Sequence, residues 1–313
     1  MNLIIHHWDT DGICSAALIA KMLQDDWTNC TPPIGVFDFD AKVWRLIERA
    51  EKIYVVDFNA PDVVEKISKS TVFIDHHVQR RINNEFVIQI NPVIDGKYYP
   101  SASWIVSEYY HIWNHLSALG AIGDNKNVFA TEFGEKIKSL LTLPKDDAIR
   151  IVELIDSNYV VMDRKSVEEA VEVVLNSEPR ELLNNERWLK NLDLIEQEVQ
   201  KALDNLVVRQ NCAEIVFKSN CNVISKVGRK LVWDMGFDLA LVVNKDFNGL
   251  AQVYLRAKPD KINILKIIEK LKSMGYKAGG KKEVLGVVCQ KSELENVVNT
   301  IKEEVEIWLR SSL

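Results

Sequence analysis

No apolar run in the 313-residue sequence approaches the roughly 18–20 residues that cross a bilayer, so a membrane-spanning helix is not expected. Cysteine is sparse and unpaired in pattern: Cys14, Cys30, Cys212, Cys221 and Cys289 are odd in number, scattered, and form no CxxC pair. Such usage fits reduced thiols in a cytoplasmic protein better than a disulfide framework. The opening segment MNLIIHHWDTDG lacks the basic stretch and small-residue cleavage site of a secretory signal. Internal repeats and low-complexity tracts are missing as well. Histidine occurs six times and never after residue 115, which confines imidazole chemistry to the N-terminal part.

What is present is an ordinary globular mixture, 47% apolar and 27% charged. The net charge of −6 conceals an asymmetry. Residues 209–290 carry 15 Lys+Arg against 7 Asp+Glu, whereas the remainder carries 24 against 38. The acidic part could host cations and the basic part an anionic ligand. Lys266, Lys270, Lys272 and Lys277 can equally be the solvated face of a helix.

The first 125 residues alternate short apolar runs with amphipathic stretches. Leu3–Ile5, Ile34–Phe37, Ile53–Val56, Val72–Ile74 and Val87–Ile90 read as strands, and 13–25, 42–50 and 61–69 as helices. That alternation predicts an α/β fold with a mostly parallel sheet and helices on both faces, where ligands gather at the carboxyl ends of the strands. Residues 101–205 have helical spacing. The expected organisation is a first domain over 1–185, a connecting helix over 186–206, and a second, smaller α/β domain over 207–313. In the latter AEIVF, CNVISKV, LALVVN, AQVYLRA and EVLGVVC read as strands, with helices at 262–275 and 291–310.

Four polar clusters follow apolar runs. The first is His7-Trp8-Asp9-Thr10-Asp11-Gly12, where alternation in an extended segment would put His7, Asp9 and Asp11 on one side. The second ends on Asp57 and the third on Asp75-His76-His77. The fourth, Leu119–Asn125, carries Asp124 after what reads as a small-residue turn. A lone aspartate at a strand end is usually a cap or turn residue. Several carboxylates gathered at one sheet edge would repel, and cations make such a cluster tolerable. His6 falls on the opposite face and reads as packed. His111 and His115, four apart, read as residues on the surface of one helix. Cys14 reads as a buried packing residue near a helix start.

HWDTDG, VVDF, DHH and GAIGDN, in this order, resemble the four motifs of the DHH phosphoesterase family, and Ser101-Ala102-Ser103 resembles the segment between its third and fourth motifs. The resemblance implies two divalent cations, Mn²⁺ or with weaker preference Mg²⁺, that activate a shared water for in-line attack on phosphorus. It implies His7, Asp9 and Asp57 at the first metal and Asp11, Asp57, His76 and Asp124 at the second. Asp57 would bridge, His77 would meet the substrate phosphate, and Asp75 would orient a histidine from behind. Farther on, Arg256 in YLRA and Gly279-Gly280-Lys281 resemble the substrate-gripping C-terminal domain that accompanies many family members. The family's usual GGH-x-x-AAG departs here: Lys281 replaces the histidine, and Val284-Leu285 replace the alanines.

The leading expectation is an exonuclease acting on single-stranded DNA or RNA or on short oligonucleotides. A second is a phosphatase or phosphodiesterase of small nucleotides, such as 3′-phosphoadenosine phosphate or cyclic and linear dinucleotides. A third is a non-catalytic replication scaffold, which the filled ligand positions disfavour. A family II pyrophosphatase lacks support because its basic C-terminal signature is missing.

Overall fold

The computed structural model describes residues 1–24 and 26–311. Residue 25, the last of the expected first helix, and residues 312–313 of the expected second domain lie outside them. The chain divides into two compact units, Met1–Leu192 and Asp193–Leu313.

Unit one is built on five parallel strands: β1 (Asn2–His6), β2 (Trp27–Cys30), β3 (Lys52–Val56), β4 (Thr71–Ile74) and β5 (Val87–Ile90), in the order β2-β1-β3-β4-β5. The inner strands β1, β3 and β4 are almost wholly buried, as strands covered on both faces must be. Helices flank the sheet: α1 (Thr10–Leu23), α2 (Ala41–Arg49), α3 (Pro61–Val64), α4 (Ala102–Tyr110), α5 (His115–Asp124), α6 (Gly134–Leu140), α7 (Lys145–Val160), α8 (Arg164–Asn176) and α9 (Pro179–Leu182). The division between the units falls within the next helix, α10 (Glu186–Leu203). Helix α1 is the hub of unit one. It is buried from Thr10 to Ala20 and packs against α4, α5 and α8.

The register decides where the chemistry can sit. His6 pairs with Val56, Val56 with Ile74, and Ile74 with Ile90. The next residue on each strand is therefore His7, Asp57, Asp75 and Asn91, one row across the carboxyl edge. The ladder continues through that row: His7 N–H donates to Val56 O (3.3 Å), Asp57 N–H to Ile74 O (2.9 Å) and Asp75 N–H to Ile90 O (3.1 Å).

Three sequence expectations outside the polar clusters fail in this unit. Ile34–Phe37 is a loop, and the strand beside β1 is Trp27–Cys30, an edge strand whose polar WTNC composition gives no apolar signal. Helix α3 stops at Val64, after which the chain tightens into turns bonded three residues apart, Lys66 N–H to Val63 O and Ile67 N–H to Val64 O. His111 and His115 share no helix: His111 caps α4 in the left-handed conformation (φ 56°), and His115 opens α5.

Unit two holds a six-stranded sheet of β6 (Val207–Arg209), β7 (Cys212–Phe217), β8 (Leu239–Phe247), β9 (Leu250–Ala257), β10 (Ala278–Lys281) and β11 (Val284–Cys289), in the order β10-β11-β9-β8-β7-β6. Only β7 and β8 run parallel. Helices α11 (Ile224–Arg229), α12 (Ile264–Ser273) and α13 (Leu294–Ser311) complete it, and a π-helical turn, Lys230–Asp234, extends α11. CNVISKV, expected as a strand, is the approach to α11 and its first turns: Val223, Ile224 and Val227 are buried at helical spacing. Among the described residues no helix is long and apolar enough to cross a membrane.

Candidate metal centre

The row at the sheet edge supplies the centre of a charged cluster. Asp57 ends β3 with φ 56°, a left-handed conformation that turns its carboxylate out of the strand's alternation. The side chain is buried, and neither carboxylate oxygen has a hydrogen-bond partner. His7 Nδ1 lies 3.7 Å from Asp57 Oδ2 and 2.8 Å from Asp9 Oδ2, and His76 Nε2 lies 3.6 Å from Asp57 Oδ1 and 3.0 Å from Asp124 Oδ2. Both ring nitrogens are buried without a hydrogen bond in donor geometry. Unpartnered buried polar atoms are costly in a folded protein, and four of them converge here.

The carboxylates arrive by different routes. Asp9 caps α1, accepting from Gly12 N–H at 3.1 Å. Asp11 lies in the first turn of α1, not on an extended segment, and accepts from the main-chain N–H groups of Ala102 (2.6 Å) and Ser103 (2.9 Å) at the start of α4. Asp124 is the last residue of α5, a helix end and not the expected turn. The partial negative charge of a helix C-terminus opposes a carboxylate. The glycines that suggested a turn serve close packing: a Cβ on Gly120 would come closer than 3.0 Å to Ser103 Oγ and Asp11 Oδ1, and one on Gly12 would meet His7 O.

Asp75 faces its own histidine. Its Oδ1 accepts from His77 Nδ1 (2.7 Å) and from the main-chain N–H groups of His76 (2.7 Å) and His77 (3.2 Å), and its Oδ2 accepts from Gln79 (3.0 Å). His77 is the most open ring of the site. Three overlapping sets place ligand atoms within 4.8 Å of one another: His7, Asp9 and Asp57; Asp11, His76 and Asp124; and Asp57, Asp75, His76 and His77.

The electrostatics describe a cluster under strain. Burial, then the charges of Asp11 and Asp9, push Asp57 well above the carboxylate range. Burial and the Asp11 charge raise Asp124 to about 7, and burial likewise raises Asp11. Burial alone would lower His76, but the Asp124 and Asp57 carboxylates carry it up to about 12. Burial alone would raise Asp9, yet His7 beside it holds it below the usual range. Carboxylates in this number with imidazoles among them suit hard-to-borderline divalent cations, and this donor set could hold them.

Other residues take structural places. His6 is fully buried, its Nδ1 2.6 Å from His7 O and its Nε2 3.2 Å from the Asn29 amide. Cys14 is buried, and burial raises its thiol well above the ordinary value, so it is no thiolate. Three contributors escape the sequence reading. Asn91 ends the register row and donates to His77 O (2.8 Å), while Asp156 accepts from Thr10 N–H (2.9 Å) and Oγ1 (2.7 Å) to fix the start of α1. Phe37 stacks on His7 with ring centroids 5.9 Å apart. Asn91 had a signal in its position after β5. The other two arise from contacts distant in sequence.

In unit two, Arg256 on β9 donates from Nη1 to Tyr254 OH (2.8 Å), lies 5.6 Å from the Trp233 ring centroid, and keeps its buried Nε without a partner. Lys281 pairs with Val284, which pairs with Arg256, so the two basic residues share a register row and a sheet face. Gly279 and Gly280 lie in edge strand β10, and at Gly280 (φ 152°) a Cβ would collide with Val284 O.

Comparison with known proteins bears on the whole chain. No curated protein matches its sequence. Among solved structures, a DHH domain described as belonging to a family of ribosomal proteins aligns at TM-score 0.69 and 17% identity, over 97% of this chain and 86% of that one. RecJ from Thermus thermophilus, in complex with Mn²⁺, aligns at TM-score 0.67 and 14% identity, over 96% of this chain, which spans only 51% of RecJ. The pGpG-specific phosphodiesterase PggH from Vibrio cholerae aligns at TM-score 0.56 and 12% identity, over 98% of this chain and 99% of that one. At these identities the likeness is one of fold. Residues 2–132, fewer than half of the chain, match the model of the DHH family's N-terminal domain.

Proposed function

We propose that the protein is a Mn²⁺-dependent phosphodiesterase, with Mg²⁺ as a weaker substitute, that hydrolyses single-stranded nucleic acid or short oligonucleotides. The observation that carries this reading is the convergence of His7 Nδ1, both Asp57 oxygens and His76 Nε2, all buried and without a hydrogen bond of good geometry, among Asp9, Asp11 and Asp124. In this reading His7, Asp9 and Asp57 hold one cation and Asp11, Asp57, His76 and Asp124 the other. Two such cations, when bound, neutralise charge developing on phosphoryl oxygens and make a water nucleophilic near neutral pH.

The remaining roles belong to the chain. Asp75 fixes the His77 ring by its Nδ1–H, which leaves Nε2 to meet a phosphate oxygen or the leaving group. The bonds from Ala102 and Ser103 keep Asp11 from rotating away. Arg256, with a free Nε, grips a terminal phosphate, helped by Lys281 as a point charge and by the strand of Gly279 and Gly280, whose backbone is open at Gly279.

A second reading, a phosphodiesterase of linear dinucleotides, is supported by the fold likeness to the pGpG-specific phosphodiesterase PggH, which aligns over 98% of this chain. One assay separates the two. Wild type and Asp57→Ala are incubated with Mn²⁺ and a panel of end-labelled single-stranded DNA, RNA, dinucleotides, 3′-phosphoadenosine phosphate and pyrophosphate. Consumption of strands supports the exonuclease, and consumption of dinucleotides alone supports the second reading. Hydrolysis of none, or hydrolysis that survives Asp57→Ala, removes both.

A further inference from the structure

An exposed aromatic ring beside a cluster of charge needs a reason. Phe37 sits in the loop between β2 and α2 with 51% of its surface open, and its neighbour Val36 is also exposed. The ring is not loose. It stacks on His7 (5.9 Å, interplanar 25°) and on fully buried Phe58 (5.6 Å, 21°), and it meets the edge of buried Trp8 (5.3 Å). Phe58 in turn stacks on Phe39. An aromatic floor thus fixes one side of the ring and leaves the other side to solvent. Core packing does not account for this, because a leucine would fill the contact with less apolar surface exposed.

We propose that Phe37 is a stacking platform for the nucleobase attached to the phosphate that His7 and Asp57 face. The inference rests on the phosphodiesterase reading and narrows its substrates to nucleotides, as opposed to inorganic or alkyl phosphates. Each base has a π-face, so a lone ring beside the cluster gives affinity without sequence preference. The ring contacts His7 directly, so a stacked base and its phosphate are positioned by adjacent residues.

The test uses matched dinucleotides, one with two bases and one with an abasic sugar at either position, on wild type, Phe37→Leu and Phe37→Tyr. Leucine keeps apolar bulk against His7 and lacks the π-face. The expected result is that removing one particular base raises KM about 10-fold or more in wild type and Phe37→Tyr but changes little in Phe37→Leu, with kcat similar throughout. Calorimetric affinity for a dinucleotide with a methylenephosphonate linkage, in which a P–C bond replaces the scissile P–O bond, gives the same comparison without turnover. A base dependence that persists in Phe37→Leu, or is absent from wild type, overturns the platform. If wild type hydrolyses neither strands nor dinucleotides yet Phe37-dependent affinity for the base remains, the phosphodiesterase reading fails and the platform stands.

Discussion

Asp75 and His77 are joined side chain to side chain, Oδ1 to Nδ1 at 2.7 Å, while the same oxygen accepts the main-chain N–H groups of residues 76 and 77. The carboxylate therefore sets both the ring's tautomer and the path of the chain that carries it. Asp75→Asn keeps the shape but offers an amide whose N–H can face Nδ1. The expected outcome is a kcat about 10- to 100-fold lower, with a displaced pH–rate profile. Steady-state kinetics across pH on the preferred substrate check it.

Asp57→Asn should move activity and stability in opposite directions. Asparagine tolerates the left-handed φ, so the backbone is undisturbed. The variant loses Mn²⁺-dependent hydrolysis by at least about 100-fold. In EDTA it melts higher than wild type, because asparagine is neutral already, whereas burial and the charges of Asp11 and Asp9 force the Asp57 carboxyl to take up a proton on folding. A gain of about 1 kcal/mol corresponds to about 2–4 °C for a unit of this size. Thermal melts with and without Mn²⁺ read both effects.

Metal binding should weaken as the solution is acidified. In the cation-free protein Asp124 titrates near 7 and Asp57 well above its ordinary value. A carboxylate raised by folding stabilises the fold while protonated and loses that contribution as pH climbs through its folded pKa. EDTA-treated protein thus loses this contribution at Asp124 between about pH 4 and 7, and a divalent cation restores it by replacing the proton. The rise in Tm on adding Mn²⁺ should grow across that window, and Asp124→Asn should flatten the growth.

The two glycines of α5 should not respond alike to alanine. Gly120→Ala drives a methyl into Ser103 and Asp11, and is expected to cost about 1–3 kcal/mol and to lower Mn²⁺ affinity. Gly123→Ala meets Thr10 Cβ at 3.0 Å, a contact that small shifts relieve, and gains helix propensity. It should stay within about 0.5 kcal/mol of wild type. Denaturant melts of the pair decide the matter.

Arg256→Lys should raise KM for substrates with a terminal phosphate by about 10-fold while leaving the Mn²⁺ titration unchanged, since lysine supplies charge without the two-pronged grip. A rise in the Mn²⁺ requirement instead would place Arg256 at the metal centre.

The inner strands were legible because each apolar run stops where a polar residue takes over, and in a parallel sheet those stops align. His7, Asp57 and Asp75 follow from that rule alone. Asp124 sits beside them for another reason, since its glycines reflect close helix packing that sequence spacing cannot separate from a turn. Ile34–Phe37 misled for the same kind of reason. Its Phe37 ring packs on His7 and the Phe58 layer and not in a strand, and that contact spans the chain from residue 7 to 58. Strand β2 escaped because an edge strand of Trp, Thr, Asn and Cys carries no hydrophobic periodicity.

The ladder bonds of His7, Asp57 and Asp75 to the next strand make the sheet a ruler. Spacing between these residues is fixed at about 4.8 Å per strand, and widening it means breaking backbone bonds, not bending a loop. An ion held here would meet the main chains of His7 and Asp57 at nearly constant spacing. One that prefers bonds of about 2.3–2.6 Å, as Ca²⁺ does, would gain room between these two by side-chain rotation, which makes the backbone itself an instrument of discrimination by ionic radius.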